Sequence, residues 1–397
     1  MKLINGMHNP DLPGVILFQP ACVLGLPSSV EISDFLSVNG SGVGGGSNSI
    51  KTATGEYFER RHFYREVVAK KRGCLSKYLS ESEARGFAEA FTQTANKKTS
   101  LAEVDGHSFA LSQVLRASDF SACFIPTACI SLSSHSVGDD SWLYPLRDTC
   151  GCSFHWCPDI AFLGAIKEYL ERQFLIRFWL TKTCRSQIPS KQVREMLVSR
   201  EVKHLYDALS MSGDVTFLDI SDARFPGCCV LVVYGQRKVE RHVNYCAGMA
   251  YSSNTTIALE KSLLELWQTF RFMNLFKATD SDEAKLEDSY IRYFLSCNAY
   301  ETYQDVVNVQ ECGGVRSLQN FTPPEFLLAL KKLDISGYFY SKFEEVNGVA
   351  GVFVKFVSPD LFLHMNNSKN FNLINKYSKD FESSVLSARL GVMVPFP

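Results

Sequence analysis

Residues 52–61 read Thr-Ala-Thr-Gly-Glu-Tyr-Phe-Glu-Arg-Arg and contain the pattern Glu-x-x-Glu-Arg. The same pattern recurs at residues 168–172, and Glu265 and Gln268 form a related Glu-x-x-Gln pair farther along the chain. Spacings of three and four residues place side chains on one face of an α-helix. The sequence therefore predicts three helices that each present acidic or amide side chains from one face.

The two later helices each carry an apolar stripe on the face opposite these polar residues. The stripes consist of Leu163, Ile166, Leu170 and Phe174 in one helix and of Leu259, Leu263, Leu266 and Phe270 in the other. Carboxylates that converge on one cavity need cations between them, and Mg²⁺ suits them because it prefers oxygen ligands and leaves room for phosphates. The neighbouring arginines suit a phosphate tail. A solvated helix face with weak ion pairs is the alternative, and spacing alone does not decide between the two.

The amino-acid composition is typical of an ordinary globular protein. Hydrophobic residues make up 46% and charged residues 21% of the 397 residues, so the chain can bury a large core. A formal net charge of −1 gives no basic field for nucleic acid. No apolar run is long enough to span a bilayer and no signal-peptide pattern is present, so we expect no membrane association and a cytoplasmic protein. The 13 cysteines are an odd number in a long chain, which favours reduced, mostly buried thiols.

Helical and strand patterns mix without strict alternation, which predicts a mixed α/β (α+β) fold. We predict helices over residues 50–71, 80–93, 158–180, 192–209, 256–272, 282–295 and 323–333, and strands over 214–220, 228–234 and 349–357. Residues 38–49 are rich in glycine and serine and are interpreted as a loop, either flexible or close to phosphates, that lacks the ending of a P-loop. Residues 273–320 are the best candidate for an insertion.

The segment 147–157 directly precedes the second Glu-x-x-Glu-Arg helix. Its Cys and His residues, Cys150, Cys152, His155 and Cys157, do not follow the spacing of a common zinc site. We therefore expect this loop to lie beside a nucleotide or substrate channel.

These motifs resemble those of the YcaO family, which has a Ser-x-x-x-Glu-x-x-Glu-Arg element, a later Glu-x-x-Glu-Arg helix and a Glu-x-x-Gln helix in that order. Here Thr52 stands in place of the serine. The chain is most similar to the family's microcin-synthetase type, in strings at residues 55–63, 147–155, 265–268, 358–368 and 393–397. The resemblance implies one YcaO-type domain over residues 1–397, a YcaO fold with mixed sheets, and helices whose faces build an ATP and Mg²⁺ site.

The resemblance also implies an activity, that of an ATP-dependent cyclodehydratase. Such an enzyme converts Cys and Ser (Thr) of a ribosomal precursor peptide to thiazoline and oxazoline by phosphorylating the backbone amide oxygen, here in the biosynthesis of a thiazole/oxazole-modified bacteriocin. The implied Mg²⁺ ligands are Glu56, Glu59, Glu168, Glu171 and Glu265. Arg60 and Arg172 would hold phosphates, and Gln268 would help to place the nucleotide or metal.

The chain's Pro-ended tail, residues 391–397, matches a further feature of azoline-forming members. Many of them end in Pro-x-Pro-x-Pro, whose terminal carboxylate enters the active site. Pro395 and Pro397 match this pattern, whereas Met393 stands where the first proline would be. The implied catalytic residues are Pro395, Pro397 and Glu168.

Partners are implied as well: a precursor peptide with its leader, a ubiquitin-activating-like subunit that binds the leader, and an FMN-dependent azoline dehydrogenase. Two alternatives are a YcaO enzyme that forms an amidine or a thioamide, and a non-catalytic scaffold subunit of the same complex. The Pro-ended tail disfavours thioamide formation. The intact Glu and Arg positions disfavour a scaffold, since an inactive homologue would be expected to lose some of them.

Overall fold

The computed structural model describes residues 15–19, 25–34, 38–286, 289–314, 320–346 and 349–396. Its strands are β1 (Val15–Gln19), β2 (Ser28–Ser33), β3 (Asn39–Gly44), β4 (Lys71–Gly73), β5 (Phe109–Arg116), β6 (Ala122–Pro126), β7 (Cys152–His155), β8 (Thr183–Cys184), β9 (Ser186–Gln187), β10 (Asp214–Asp219), β11 (Cys228–Gly235), β12 (Tyr245–Ser252), β13 (Gln310–Glu311), β14 (Tyr338–Val346) and β15 (Val349–Val357). Its helices are α1 (Asn48–Arg61), α2 (Glu81–Thr94), α3 (Leu101–Asp105), α4 (Ser134–Val137), α5 (Pro158–Thr181), α6 (Ser190–Leu197), α7 (Lys203–Ser212), α8 (Thr255–Ala278), α9 (Ser289–Ser296), α10 (Tyr300–Val307) and α11 (Pro323–Lys332). The predicted mixed α+β class is confirmed.

The larger sheets in the described ranges are antiparallel. Their strand orders are β1-β2-β3, β12-β11-β10-β9 and β4-β5-β14-β15-β7, with β6 added beside β5. A short parallel pair joins β13 to β8. Strands β3, β7 and β12 are therefore edge strands, each with one row of backbone N–H groups that no neighbouring strand takes up.

Helix α5 begins where the sequence predicts, because Pro158 occupies its first turn and needs no hydrogen-bond donor there. It ends at Lys182, whose φ of 53° is left-handed. The helix packs against β7, β12 and β15. Three residues of its predicted apolar stripe are buried and Leu163 is partly buried. Tyr169 and Glu171, which lie outside the stripe, are buried too. Helix α5 is thus a central helix with little solvent-facing surface.

The prediction of a loop over residues 38–49 is wrong. Residues 39–44 form strand β3, which lies directly on helix α1. A Cβ atom on Gly40 would come within 2.3 Å of the carbonyl oxygen of Ala53, and one on Gly42 within 2.1 Å of that of Ser49. Glycine is required because the strand approaches the helix backbone so closely. The glycines are therefore explained by packing, without a phosphate-binding role.

Other predicted boundaries are also corrected. Helix α1 ends at Arg61, and a π-helical turn over His62–Glu66 follows, so the helix does not run to residue 71. The predicted helix over 192–209 is two helices, α6 and α7, and the one over 282–295 is reduced to α9 after a 3₁₀ turn. Gly248 lies in β12, where a Cβ atom would meet the backbone nitrogen of Leu266 at 2.1 Å.

The core is divided among three clusters of unequal size. The largest surrounds α5, α8 and the β9–β12 sheet, and a second lies between α2 and the six-stranded sheet. The third is small and joins the β1–β3 sheet to α1 through Val30, Ile32, Val38, Ala53 and Tyr57. None of the helices in the described part of the chain is long and apolar enough to cross a membrane. The insertion at 273–320 stays a prediction.

Candidate active site

A cavity of about 1140 Å³ opens between helices α1, α5 and α8. This volume exceeds the few hundred Å³ that a small ligand needs. Its walls bring together seven residues predicted from the sequence motifs: Glu56, Glu59, Arg60, Glu168, Arg172, Glu265 and Gln268. Residues that are more than 200 positions apart in the chain thus face one space, which is one of the two arrangements that the spacing of the motifs leaves open.

The acidic side chains are held in place by the edge strands of three sheets. In four cases a carboxylate accepts a backbone N–H that faces away from the strand's own sheet. The bonds join Ser41 of β3 to Glu56 (2.7 Å), Phe154 of β7 to Glu59, Tyr251 of β12 to Glu171 (2.5 Å) and Met249 of β12 to Glu265 (3.4 Å). These bonds satisfy donors that the sheets leave unpaired, and they fix the direction of each carboxylate.

The crowding of these carboxylates changes their proton affinities. Withdrawal from bulk water, together with the charge of Glu56, raises the pKa of Glu59 to about 7. Although Glu265 opens on the cavity, withdrawal from bulk water and the charge of Glu171 raise its pKa to about 7 as well. Burial and the charge of Glu59 raise the pKa of Glu168 well above its usual range. A bound cation would relieve this repulsion, which is the behaviour expected of a site for Mg²⁺.

Two arginines supply positive charge to the same cavity. Arg60 pairs with Glu56 and donates to Asn39 Oδ1 at 2.7 Å. Arg172 lies 3.8 Å from the carboxylate of Glu168. Burial alone would lower the pKa of Arg172, but the surrounding carboxylates more than offset this and raise it. Both guanidinium groups are suited to oxyanions such as phosphate.

Arg172 has two further contacts. The Sδ atom of Met365 lies 3.3 Å from its Nη1 atom, and its guanidinium carbon lies 5.9 Å from the ring centre of Phe396. Phe396 belongs to the Pro-ended tail and lines the cavity. The tail thus reaches the site at least as far as this residue.

The remaining predicted residues are placed differently. Glu171 is 4% exposed and lies behind the cavity wall, next to Glu265. Pro395 is buried, and its carbonyl accepts a hydrogen bond from the hydroxyl of Tyr245. Pro397 lies outside the described residues. The roles assigned to these three residues stay predictions.

Several cavity residues were not predicted. Glu31, on β2, accepts a hydrogen bond from Ser41 Oγ at 2.8 Å, and burial raises its pKa. Its strand has no motif around it, so nothing in the local sequence marks it. Residues 147–157, which were expected to lie beside a nucleotide or substrate channel, contribute to the cavity wall through Thr149, Phe154, His155 and Trp156.

A second group of potential metal ligands occurs in the described ranges, formed by His62, Glu66 and Glu344. The His62 ring bonds to Glu66 through Nδ1 and to the hydroxyl of Tyr340 through Nε2. Arg61 and Lys342 pair with the two carboxylates, at 3.4 and 3.3 Å. The group is therefore a charge-balanced network outside the cavity.

The profile of the YcaO cyclodehydratases, described as ATP- and Mg²⁺-binding, matches residues 46–308. The chain belongs to the YcaO family. It is 32% identical over 391 residues to the microcin B17-processing protein McbD of Escherichia coli, with 97% of each chain covered. It is also similar to a chain of the E. coli microcin synthetase McbBCD complex with pro-MccB17 bound, with a TM-score of 0.87, 31% identity, and 100% of this chain and 99% of that chain covered.

A more distant YcaO protein shares the fold. The structure of YcaO from Methanopyrus kandleri, bound with AMPPCP and Mg²⁺, matches with a TM-score of 0.56 at 13% identity, over 88% of this chain and 86% of that one. The family is an ATP- and Mg²⁺-binding one, and the cavity fits both groups. Its carboxylates offer hard oxygen ligands, and its arginines face the same space.

Proposed function

We propose that this YcaO protein is the ATP-dependent cyclodehydratase of a bacteriocin synthetase, forming thiazolines and oxazolines from Cys and Ser (Thr) of a ribosomal precursor peptide. The observation that supports this most strongly is the convergence of the acidic motifs and two arginines on one cavity. Identity to a microcin-processing protein over nearly the whole chain supports the same activity.

The reaction is a dehydration of the peptide backbone. The Cys thiol or Ser hydroxyl adds to the preceding carbonyl carbon and gives up its proton. Bound Mg²⁺-ATP supplies the phosphoryl group that makes the carbonyl oxygen a leaving group. That oxygen departs as phosphate, and loss of the amide proton completes the C=N bond. Peptide and ATP thus give azoline, ADP and phosphate, and the peptide loses the elements of one water.

The protein's part in this reaction is charge placement. We assign Glu56, Glu59, Glu168, Glu171 and Glu265 to Mg²⁺, since phosphoryl transfer depends on positioning and charge neutralisation more than on covalent protein chemistry. Arg60 and Arg172 bind phosphate oxygens, and Gln268 orients the nucleotide or metal.

Three residues are assigned to catalysis. Glu168 lines the cavity next to Arg172, and we assign it to catalysis as well as to Mg²⁺. Pro395 and Pro397 are assigned as part of the Pro-ended tail, whose terminal carboxylate enters the active site in many azoline-forming members of the family.

Partner subunits are part of this proposal. The related E. coli chain is described within an McbBCD complex with pro-MccB17 bound. By analogy, this protein acts in the cytoplasm on a leader-bearing precursor, with a ubiquitin-activating-like leader-binding subunit and an FMN-dependent azoline dehydrogenase, and without nucleic acid or membrane.

The test is mass spectrometry of the precursor after incubation with the full chain, its neighbouring gene products and Mg²⁺-ATP. We expect losses of about 18 Da per ring, or about 20 Da where the dehydrogenase acts, that require ATP. Glu168→Ala should abolish them, whereas Glu89→Gln, on an exposed pair with Arg85, should not.

Other outcomes identify the alternatives. Water loss that persists when every Cys, Ser and Thr of the core peptide is replaced by Ala would indicate that the enzyme forms an amidine. A gain in peptide mass from sulfur replacing oxygen would indicate that it forms a thioamide. An unchanged peptide, with all partners present and nucleotide bound, would indicate a scaffold.

A further inference from the structure

The backbone of residues 392–396 is held by side chains instead of by a sheet or a helix. Four side chains from separate parts of the chain bind its polar groups. The bonds run from Asn367 Nδ2 (2.7 Å) and Trp179 Nε1 (2.8 Å) to the Val392 carbonyl, from the Tyr293 hydroxyl to the Met393 carbonyl (2.8 Å), from the Val394 N–H to Asn367 Oδ1 (3.2 Å), and from the Tyr245 hydroxyl to the Pro395 carbonyl (2.5 Å).

These bonds are needed because residues 393–396 are buried. Met393, Val394 and Phe396 are 7%, 3% and 5% exposed. An irregular buried backbone leaves carbonyl and N–H groups without partners, and each buried group without a partner destabilises the fold. The side chains supply these partners, and they also select one conformation for the tail.

Two residues outside the cavity wall, each in one of the strings that resemble the microcin-synthetase type, support this arrangement. Asn367 lies in the string 358–368, and Asp148 lies in the string 147–155. Asp148 Oδ2 accepts the backbone N–H of Met365 at 2.7 Å, two residues before Asn367. The thioether of Met365 in turn contacts Arg172. The strings therefore form one support behind Arg172 and the tail.

The segment predicted as an insertion contributes as well. Helix α9 supplies Tyr293 to the tail and Ile291 to the cavity wall. This part of the chain is thus built into the site.

We propose that Trp179, Tyr245, Tyr293 and Asn367 form a tail clamp, a set of positioning residues that fixes Phe396 on the cavity wall beside Arg172. The clamp acts through Phe396, which lines the cavity, whereas the four clamp residues do not. Only the expected effect of the clamp on kcat rests on the proposed function. The hydrogen bonds that define the clamp do not depend on the reaction.

The first test needs no activity. The Val394 amide is bonded to Asn367, so hydrogen exchange of the tail of the full chain should be slow in the wild type and at least tenfold faster in Asn367→Ala. Tyr300→Phe, which removes a hydroxyl bonded to Asp214 away from the tail, is the matched control and should leave exchange unchanged. Equal exchange in Asn367→Ala and wild type would refute the clamp, whether or not the protein cyclises peptides.

The second test is kinetic and uses the complete synthetase. Tyr293→Phe should lower kcat for cyclisation about tenfold, with a smaller change in KM for ATP. In a Phe396→Ala background the same substitution should change kcat less than twofold, because the residue through which it acts is gone. Additive effects would show that Tyr293 acts through general stability, and the clamp would be rejected. Failure of wild-type cyclisation, by contrast, would reject the proposed function and leave the exchange result standing.

Discussion

The backbone N–H of Ser41 lies 2.7 Å from Glu56 Oε2, so the glycine-rich strand β3 and the first acidic motif form one structural unit. The same carboxylate pairs with Arg60 through its other oxygen. The direction of a proposed Mg²⁺ ligand is thus set by a strand about 15 residues earlier, which itself lies on the helix because glycines permit it.

Glu56→Gln should abolish cyclisation, with a loss of at least about 100-fold in kcat. The amide oxygen can still accept the Ser41 N–H, so the fold should be retained, but the charge needed for Mg²⁺ is gone. Mass spectrometry of the peptide and thermal denaturation of the protein check the two halves of this prediction. Retained cyclisation would remove Glu56 from the metal site.

Gly42→Ala should destabilise the protein by about 1–3 kcal/mol, because its Cβ atom would overlap the backbone of α1. Gly86→Ala is the matched control. Gly86 lies inside α2, where a Cβ atom meets nothing closer than 3.6 Å, so this change should stabilise by about 0.5–1 kcal/mol. Urea denaturation measures both, and effects of the same sign would contradict the close packing of β3 on α1.

The raised pKa values of Glu59 and Glu265, both about 7, predict a pH-dependent stability of the metal-free protein. An ordinary glutamate titrates near 4.5, so between about pH 4.5 and 7 the folded protein binds more protons than the unfolded chain. Stability contributed by these groups is therefore present at low pH and lost as the pH rises through 7.

Glu59→Gln should consequently raise the melting temperature at pH 8 without Mg²⁺, and the gain should shrink towards pH 5. Added Mg²⁺ should stabilise the wild type more at pH 8 than at pH 6, because protons compete for its ligands. Differential scanning fluorimetry across this pH range measures both effects. A pH-independent difference between variant and wild type would show that Glu59 titrates normally.

Arg172→Lys should lower kcat/KM for ATP about tenfold or more, although the charge is kept. Lysine lacks the planar fork that binds oxyanions and that contacts the Met365 thioether and faces the Phe396 ring at 5.9 Å. Arg85→Lys, at an exposed position on α2, is the control. If kcat/KM for ATP falls equally in both variants, or falls in neither, Arg172 does not bind phosphate.

Local spacing predicted the motif helices, whereas the convergence of their polar faces was implied by the resemblance to the YcaO family. The helices predicted to begin near residues 80 and 158 are confirmed, and each begins with a local feature, the capping box of Ser80 and Glu83 or the proline at the start of α5. Glu31, the edge-strand N–H groups and the tail's partners depend on contacts between residues far apart in the chain. Such contacts leave no periodic signal, and Gly42 shows that a glycine required by tertiary packing looks like a loop residue in sequence.

The small core that joins the β1–β3 sheet to α1 has a thermodynamic consequence. It consists of five buried residues, Val30, Ile32, Val38, Ala53 and Tyr57, and it is separate from the two larger cores. A unit with so little buried apolar surface opens locally at a lower free energy than the rest of the protein. Such an opening would release Glu56 from Ser41 while α5 and α8 stay folded, so nucleotide binding should be lost at a denaturant concentration at which most of the structure persists.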